Sequence, residues 1–169
     1  MQPQDNIDAD MVTSAEELPR IDEHTVTVRV DDPGRVWSAL GDVLGRSRVP
    51  GLGRSHIPTT GYGARLLQVH PGTRSGDPLL AGSTLPGFTV IRAEHGKELA
   101  LAGHHRFSSY TLIFRLLAGE HHTMLSAETR AAFPGVSGRV YRGLVIGTRG
   151  HVLVVRALLW ATRRHAERR

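Results

Sequence analysis

The 169-residue chain contains no cysteine, a single lysine, and aromatic residues at only 5%. Without cysteine, disulfides and thiolate metal sites are excluded, and nothing points to an oxidising compartment, so a cytoplasmic location is expected. No run approaches the ~20 apolar residues of a membrane span. The most apolar stretch, Val152 to Ala161, carries Arg156 in its middle. The first residues are polar and acidic rather than basic and then apolar, unlike a secretory signal. A glycine-rich phosphate loop, a serine nucleophile elbow, a cysteine–histidine pair and the common nucleic-acid-binding motifs are also missing. No specific nucleic-acid partner is therefore expected.

Charge is present but unevenly spread. Residues 1–32 hold nine acidic and two basic side chains, whereas residues 33–169 hold seven acidic and nineteen basic. Residues 1–20 read as a disordered acidic leader and residues 21–169 as one domain, a length that buries a substantial core. The leader either lies back on the basic body or stays a solvated tail. A basic body also allows weak contact with anionic surfaces, and one reading of the chain is an interaction module for an anionic partner.

From His24 to Val30 the sequence alternates, with Val26, Val28 and Val30 on one face, as a half-buried strand does. Asp32 suits a helix N-cap and Pro33 the first turn, and Val36, Trp37, Leu40, Val43 and Leu44 follow at helical spacing up to Gly45. Residues 45–63 read as loop, and Ala64–His70 and Leu79–Leu85 as short strands. Four strands then follow as a meander, Phe88–Glu94, Lys97–Gly103, Ser108–Leu117 and His122–Ala132. Leu99, Leu101, Tyr110, Leu112, Phe114, Leu116, Leu125 and Ala127 mark its inner face. Glu98, Thr111, Arg115, Glu128 and Arg130 mark the outer one.

After Pro134-Gly135, Ser137 is placed to cap a long C-terminal helix. Arg142, Arg149, Arg156 and Arg163 recur every seven residues, a series that drifts only ~20° per step and so makes one charged stripe. The remaining arc is apolar and wide, so other structure is expected to hold this helix over most of its circumference. Gly143, Gly147 and Gly150 share one face, where each costs about 1 kcal/mol against alanine. Close packing on the sheet, a kink near Thr148 and clearance for a ligand each account for them.

This order of elements resembles the helix-grip fold of the SRPBCC superfamily, which includes START lipid-transfer domains, birch-pollen-allergen proteins and the polyketide cyclase/dehydrase group. The resemblance spans roughly Ile21 to Glu167 and rests on Val26-Thr27-Val28-Arg29-Val30-Asp31-Asp32-Pro33 leading into Val36-Trp37-Ser38-Ala39-Leu40, and on Pro86-Gly87-Phe88-Thr89-Val90. Gly103 to Tyr110 and the ending Val155-Arg156-Ala157-Leu158-Leu159 look like an actinobacterial-type branch of it, from which no catalytic residues carry over. The resemblance implies an α+β helix-grip domain, its curved antiparallel sheet wrapped around a long C-terminal helix. A cavity between them would take a small apolar or amphipathic molecule.

Trp37, Tyr110, Leu112, Phe114, Tyr141, Val145, His151, His105 and Arg106 are the candidates to line such a cavity. Tyr110, Tyr141, His105, Arg106 and His151 offer hydrogen bonds to a ligand carbonyl or hydroxyl. A His–Tyr combination also suits acid–base work in an aldol-type cyclisation or dehydration. The histidine pairs 104–105 and 121–122 flank one strand and stand ~30 Å apart, so one metal cannot join them. Neither a metal nor a tightly held cofactor is expected. The oligomeric state is left open by the sequence.

Overall fold

A computed structural model describes residues 17–46, 73–105, 108–135 and 150–169. Their elements are β1 (Arg20–Val28), α1 (Pro33–Leu44), β2 (Thr84–Leu85), β3 (Phe88–Glu94), β4 (Glu98–His105), β5 (Ser108–Ala118), β6 (Thr123–Ala132) and α2 (Gly150–Glu167). The strands form one curved antiparallel sheet in the order β1-β6-β5-β4-β3-β2. Strands β3 to β6 are a simple meander, and the first strand closes the far edge beside the last. The fold is thus α+β, with both described helices set against the sheet.

Local chemistry explains where each element begins. Asp32 adopts extended geometry as N-cap of α1, and its Oδ1 accepts from Gly34 N at 2.8 Å with Pro33 in the first turn. In β1 the alternation extends back beyond His24, so that Asp22, His24, Val26 and Val28 share the inner face while Glu23, Thr25 and Thr27 stand exposed. The strand starts at Arg20, and Pro19 O already accepts from Ala131 N at 3.0 Å.

One expectation is corrected. Only Thr84–Leu85 of the segment 79–85 is strand. Ahead of it the Asp77 carboxylate accepts from Leu79 N at 2.9 Å, Asp77 O accepts from Leu80 N at 3.0 Å, and Gly82 takes φ +82°. An Asx-type turn with a left-handed glycine outweighs the apolar composition there. Helix α2 leaves one side in solvent, where Leu153 and Trp160 are 61% and 56% exposed beside exposed Arg156 and Arg164. It buries Val155, Leu158, Leu159, Thr162 and Ala166 against α1 and β1. The proposed strand 64–70, the cap Ser137, Arg142, Arg149, Gly143 and Gly147 lie outside the described residues.

The core fills the inner face. Phe114, Leu99 and Leu125 are fully buried, and Val36, Leu40 and Val43 of α1 close over the middle of the sheet. Burial of this continuous apolar face is the main stabilising term, at about 1.5–3 kcal/mol for each large side chain. Three ties fix the C-terminal end of α2: Arg35 Nε donates to Ala166 O at 3.1 Å, Arg29 N donates to Glu167 Oε1 at 3.0 Å, and His165 Nε2 meets Asp42 Oδ2 at 2.8 Å.

The outer face carries an ionic ladder. Arg92 Nη1 and Arg115 Nε each donate to Glu98 at 2.9 Å, while Arg115 Nη1 and Arg130 Nε donate to Glu128 at 2.6 and 2.7 Å. Beneath it Thr111 and Ile113, although on the outer face, are 1% and 3% exposed. Burial pushes the Glu128 carboxyl up, but its hydrogen bonds and charge attraction to Arg115 and Arg130 prevail and hold it below the usual glutamate value. The unfolded chain therefore binds this proton more tightly, so the ladder's stabilisation is present above the ordinary glutamate pKa and is lost as pH falls through the depressed one. Glu128→Gln is expected to cost about 1–3 kcal/mol in urea unfolding at pH 7. At pH 3 the gap between variant and native protein should narrow.

Candidate functional site

The register of the sheet arranges the inner face in rows. One runs Leu101, Leu112, Thr129, Asp22 from β4 through β5 and β6 to β1, and the next runs Leu99, Phe114, Ala127, His24. Across each row, at about 4.8 Å per strand, the surface changes from wholly apolar to polar. The polar ends lie on the side of the sheet that faces α2.

There α2 contributes His151, whose Nε2 lies 2.6 Å from Asp22 Oδ2. A carboxylate only accepts, so the imidazole N–H donates. His24 Nε2 stands 3.8 Å from the same carboxylate oxygen, beyond hydrogen-bond reach. Three buried atoms of this cluster, Asp22 Oδ1, His24 Nε2 and Thr129 Oγ1, have no hydrogen-bond partner among the described residues. Such atoms normally cost stability unless something satisfies them. Their convergence at one place, beneath one helix, makes this the candidate site. Beside it, between β1 and α2, opens a hollow of about 320 Å³ lined by His24, Val26, Arg156, Leu159 and Trp160. A larger hollow of about 530 Å³ lies on the outer face over Arg92, Glu98, Arg115, Leu117 and Met124. It borders the ionic ladder, whose glutamates are already engaged.

The sequence candidates fall into three groups. Leu112 and Phe114 lie in the two rows that end at Asp22 and His24, and His151 joins them from α2. Trp37 sits elsewhere, 3% exposed in the core of α1, with its ring 5.8 Å from that of His95. Tyr110 lies at the β3–β4 end of the inner face, edge-on to Phe88 at 5.2 Å, and its hydroxyl donates to Gly87 O at 2.8 Å. A Cβ on Gly103 would stand 2.1 Å from Gly87 O and 2.5 Å from the Tyr110 ring, so that glycine is what lets the tyrosine settle. Tyr141, Val145 and Arg106 lie outside the described residues, and His105 is described only in its backbone, paired with Ser108.

Asp22, His24, Thr129 and Arg156 were not singled out as site residues from sequence. Parity with Val26 and Val28 places both Asp22 and His24 on the inner face once the strand is extended to Arg20. The meeting with His151, 129 positions away, has no local signal.

Among the described residues no group of three or more His, Cys, Asp or Glu side chains could hold a metal ion, and no helix is long and apolar enough to cross a membrane. The architecture defines the class: an α+β helix-grip fold. No family model matches the chain, and no curated protein does. Solved structures do. A protein from Nitrosospira multiformis is similar at 14% identity and a TM-score of 0.53, over 86% of this chain and 94% of its own. The Zhui aromatase/cyclase from Streptomyces sp. R1128 is similar at 18% identity and a TM-score of 0.51, over 90% and 96%. At such identities the likeness is one of fold.

Thr129 Oγ1 provides a direct check on the cluster. Thr129→Val keeps the shape while removing a hydroxyl without a partner, so it is expected to raise stability by about 1 kcal/mol in urea unfolding. A loss of similar size would mean that the hydroxyl is satisfied in solution.

Proposed function

We propose that the chain is an SRPBCC-like single domain over residues 21–169 that binds a small amphipathic molecule between its sheet and C-terminal helix. Asp22, His24, Thr129 and His151 hold the polar part of the ligand in this reading. The observation that carries it is the convergence of three unpartnered polar atoms on the inner face, where an apolar core would be more stable. A ligand with a hydroxyl or carbonyl group satisfies such atoms, while the neighbouring Leu112 row supplies apolar surface. The helix-grip fold, shared with an aromatase/cyclase, agrees with an aromatic, isoprenoid or polyketide-like guest.

A second reading rests on the same contact. An imidazole oriented by a carboxylate at 2.6 Å is a common general-base arrangement, and a cyclase-like or dehydratase-like enzyme would use it to move a proton next to a ligand carbonyl. Turnover separates the two readings. In His151→Gln an enzyme loses turnover and keeps affinity, whereas a binder changes affinity alone.

Native mass spectrometry of protein purified without denaturants tests the binding itself. The expected result is a small organic adduct that denaturation releases, with occupancy at least several-fold lower in Asp22→Asn. Adduct-free protein that binds none of a panel of lipids, isoprenoids and aromatic polyketides would contradict the proposal.

A further inference from the structure

Within that reading, on which it rests, we infer that the ligand is a carboxylic acid and that Arg156 takes its carboxylate at the mouth of the hollow between β1 and α2. Arg92, Arg115 and Arg130 are engaged by the glutamates of the outer ladder, Arg163 by Glu167, Arg169 by Asp42, and Arg35 by a helix carbonyl. Arg156 differs from these. It is exposed, lines the hollow, and has neither a hydrogen-bond nor an ion-pair partner among the described residues.

Its surroundings are specific. Val26 and Leu159 form an apolar wall, Trp160 presents a 56% exposed ring one helical turn from Arg156, and His24 completes the lining, its buried Nε2 having no hydrogen-bond partner among the described residues. A wall of aliphatic and indole surface beside one unpaired guanidinium is complementary to an apolar body ending in a single carboxylate, which a guanidinium binds through two parallel N–H donors. The volume, about 320 Å³, is at the small end of ligand pockets. Phosphate groups fit less well, because polyanions are usually held by several cations or backbone amides together, and among the described residues Arg156 is the one arginine that lines the hollow. The indole does for the apolar part what burial in the core does elsewhere: it offers area at small entropic cost.

The two tryptophans make the test direct. Trp37 is 3% exposed, so acrylamide, a neutral quencher, reads Trp160 almost alone. Native protein is titrated with octanoate and, separately, with octan-1-ol, in 0.15 M salt so that loosely held charge is screened. Octanoate should shield Trp160 from acrylamide and bind at least 10-fold more tightly than the alcohol. Arg156→Gln should weaken octanoate binding about 10-fold and leave octanol unchanged, as loss of a charge-assisted hydrogen bond requires. Because Arg156 is exposed, the variant should melt with the native protein, a control read by circular dichroism. Equal binding of acid and alcohol, or an Arg156→Gln variant with native octanoate affinity, overturns the carboxylate assignment while the ligand-binding reading stands. Binding of neither compound also overturns the carboxylate assignment, and the ligand-binding reading falls with it when the protein is adduct-free and binds none of the wider panel. A Trp160 response to phosphatidylglycerol vesicles without one to octanoate also overturns the assignment, in favour of a lipid surface.

Discussion

The apolar inner face of the sheet has to be covered, and everything else in the structure is arranged around that requirement. An antiparallel sheet with Leu99, Leu101, Phe114 and Leu125 on one side loses several kcal/mol for each row left in water. Helix α1 covers the middle of this face and α2 the β1 side. Once the helices are committed to that task, the polar residues that share the face have no route to bulk solvent except along the edge of β1. The candidate site is a consequence of this geometry. Asp22, His24 and Thr129 occupy inner positions that an entirely structural sheet would give to valine or leucine.

The two faces treat charge in opposite ways. On the outer face each described ladder carboxylate accepts from two arginines, so Glu98 and Glu128 are satisfied and the ladder is a structural device. On the inner face Asp22 uses one oxygen for His151 and leaves the other without a partner. Stability would be served by removing such groups, since a half-satisfied buried network is worse than an apolar one. In the proposed function, the cluster is the place where stability is given up for recognition. Arg156 fits the same contrast: it is the described arginine that faces a hollow with no glutamate to engage it.

Much of the fold was legible in sequence because its signals are local. Alternation located β3, β5 and β6 to within a residue or two at their ends, and Asp32-Pro33 marked the start of α1, where the side-chain cap is seen. A misreading arose where local composition and geometry disagree. The apolar residues around Leu79 suggested a strand, but Asp77 and Gly82 impose a turn. The wide apolar arc on the last helix pointed to cover over most of its circumference, and over the described span Leu153 and Trp160 mark the side left in solvent. The site was less legible than the fold. His151, Leu112 and Phe114 lie in or next to it, yet the residues that give it character belong to β1 and β6, and only the pairing of the first strand with the last brings them under α2. Tyr110, chosen for its inward hydroxyl, donates that hydrogen to the chain itself at Gly87.

The central claim is that a guest lies on the inner side of β1, against α2, and not in the larger hollow on the outer face. Isotope-filtered nuclear Overhauser spectra of labelled protein with bound octanoate test it most directly, because contacts shorter than about 5 Å name the wall that the chain touches. The account predicts contacts from the octanoate methylenes to Val26, Leu159 and the Trp160 ring. Contacts confined to Leu117 and Met124 would place the guest on the wrong side of the sheet and contradict the account.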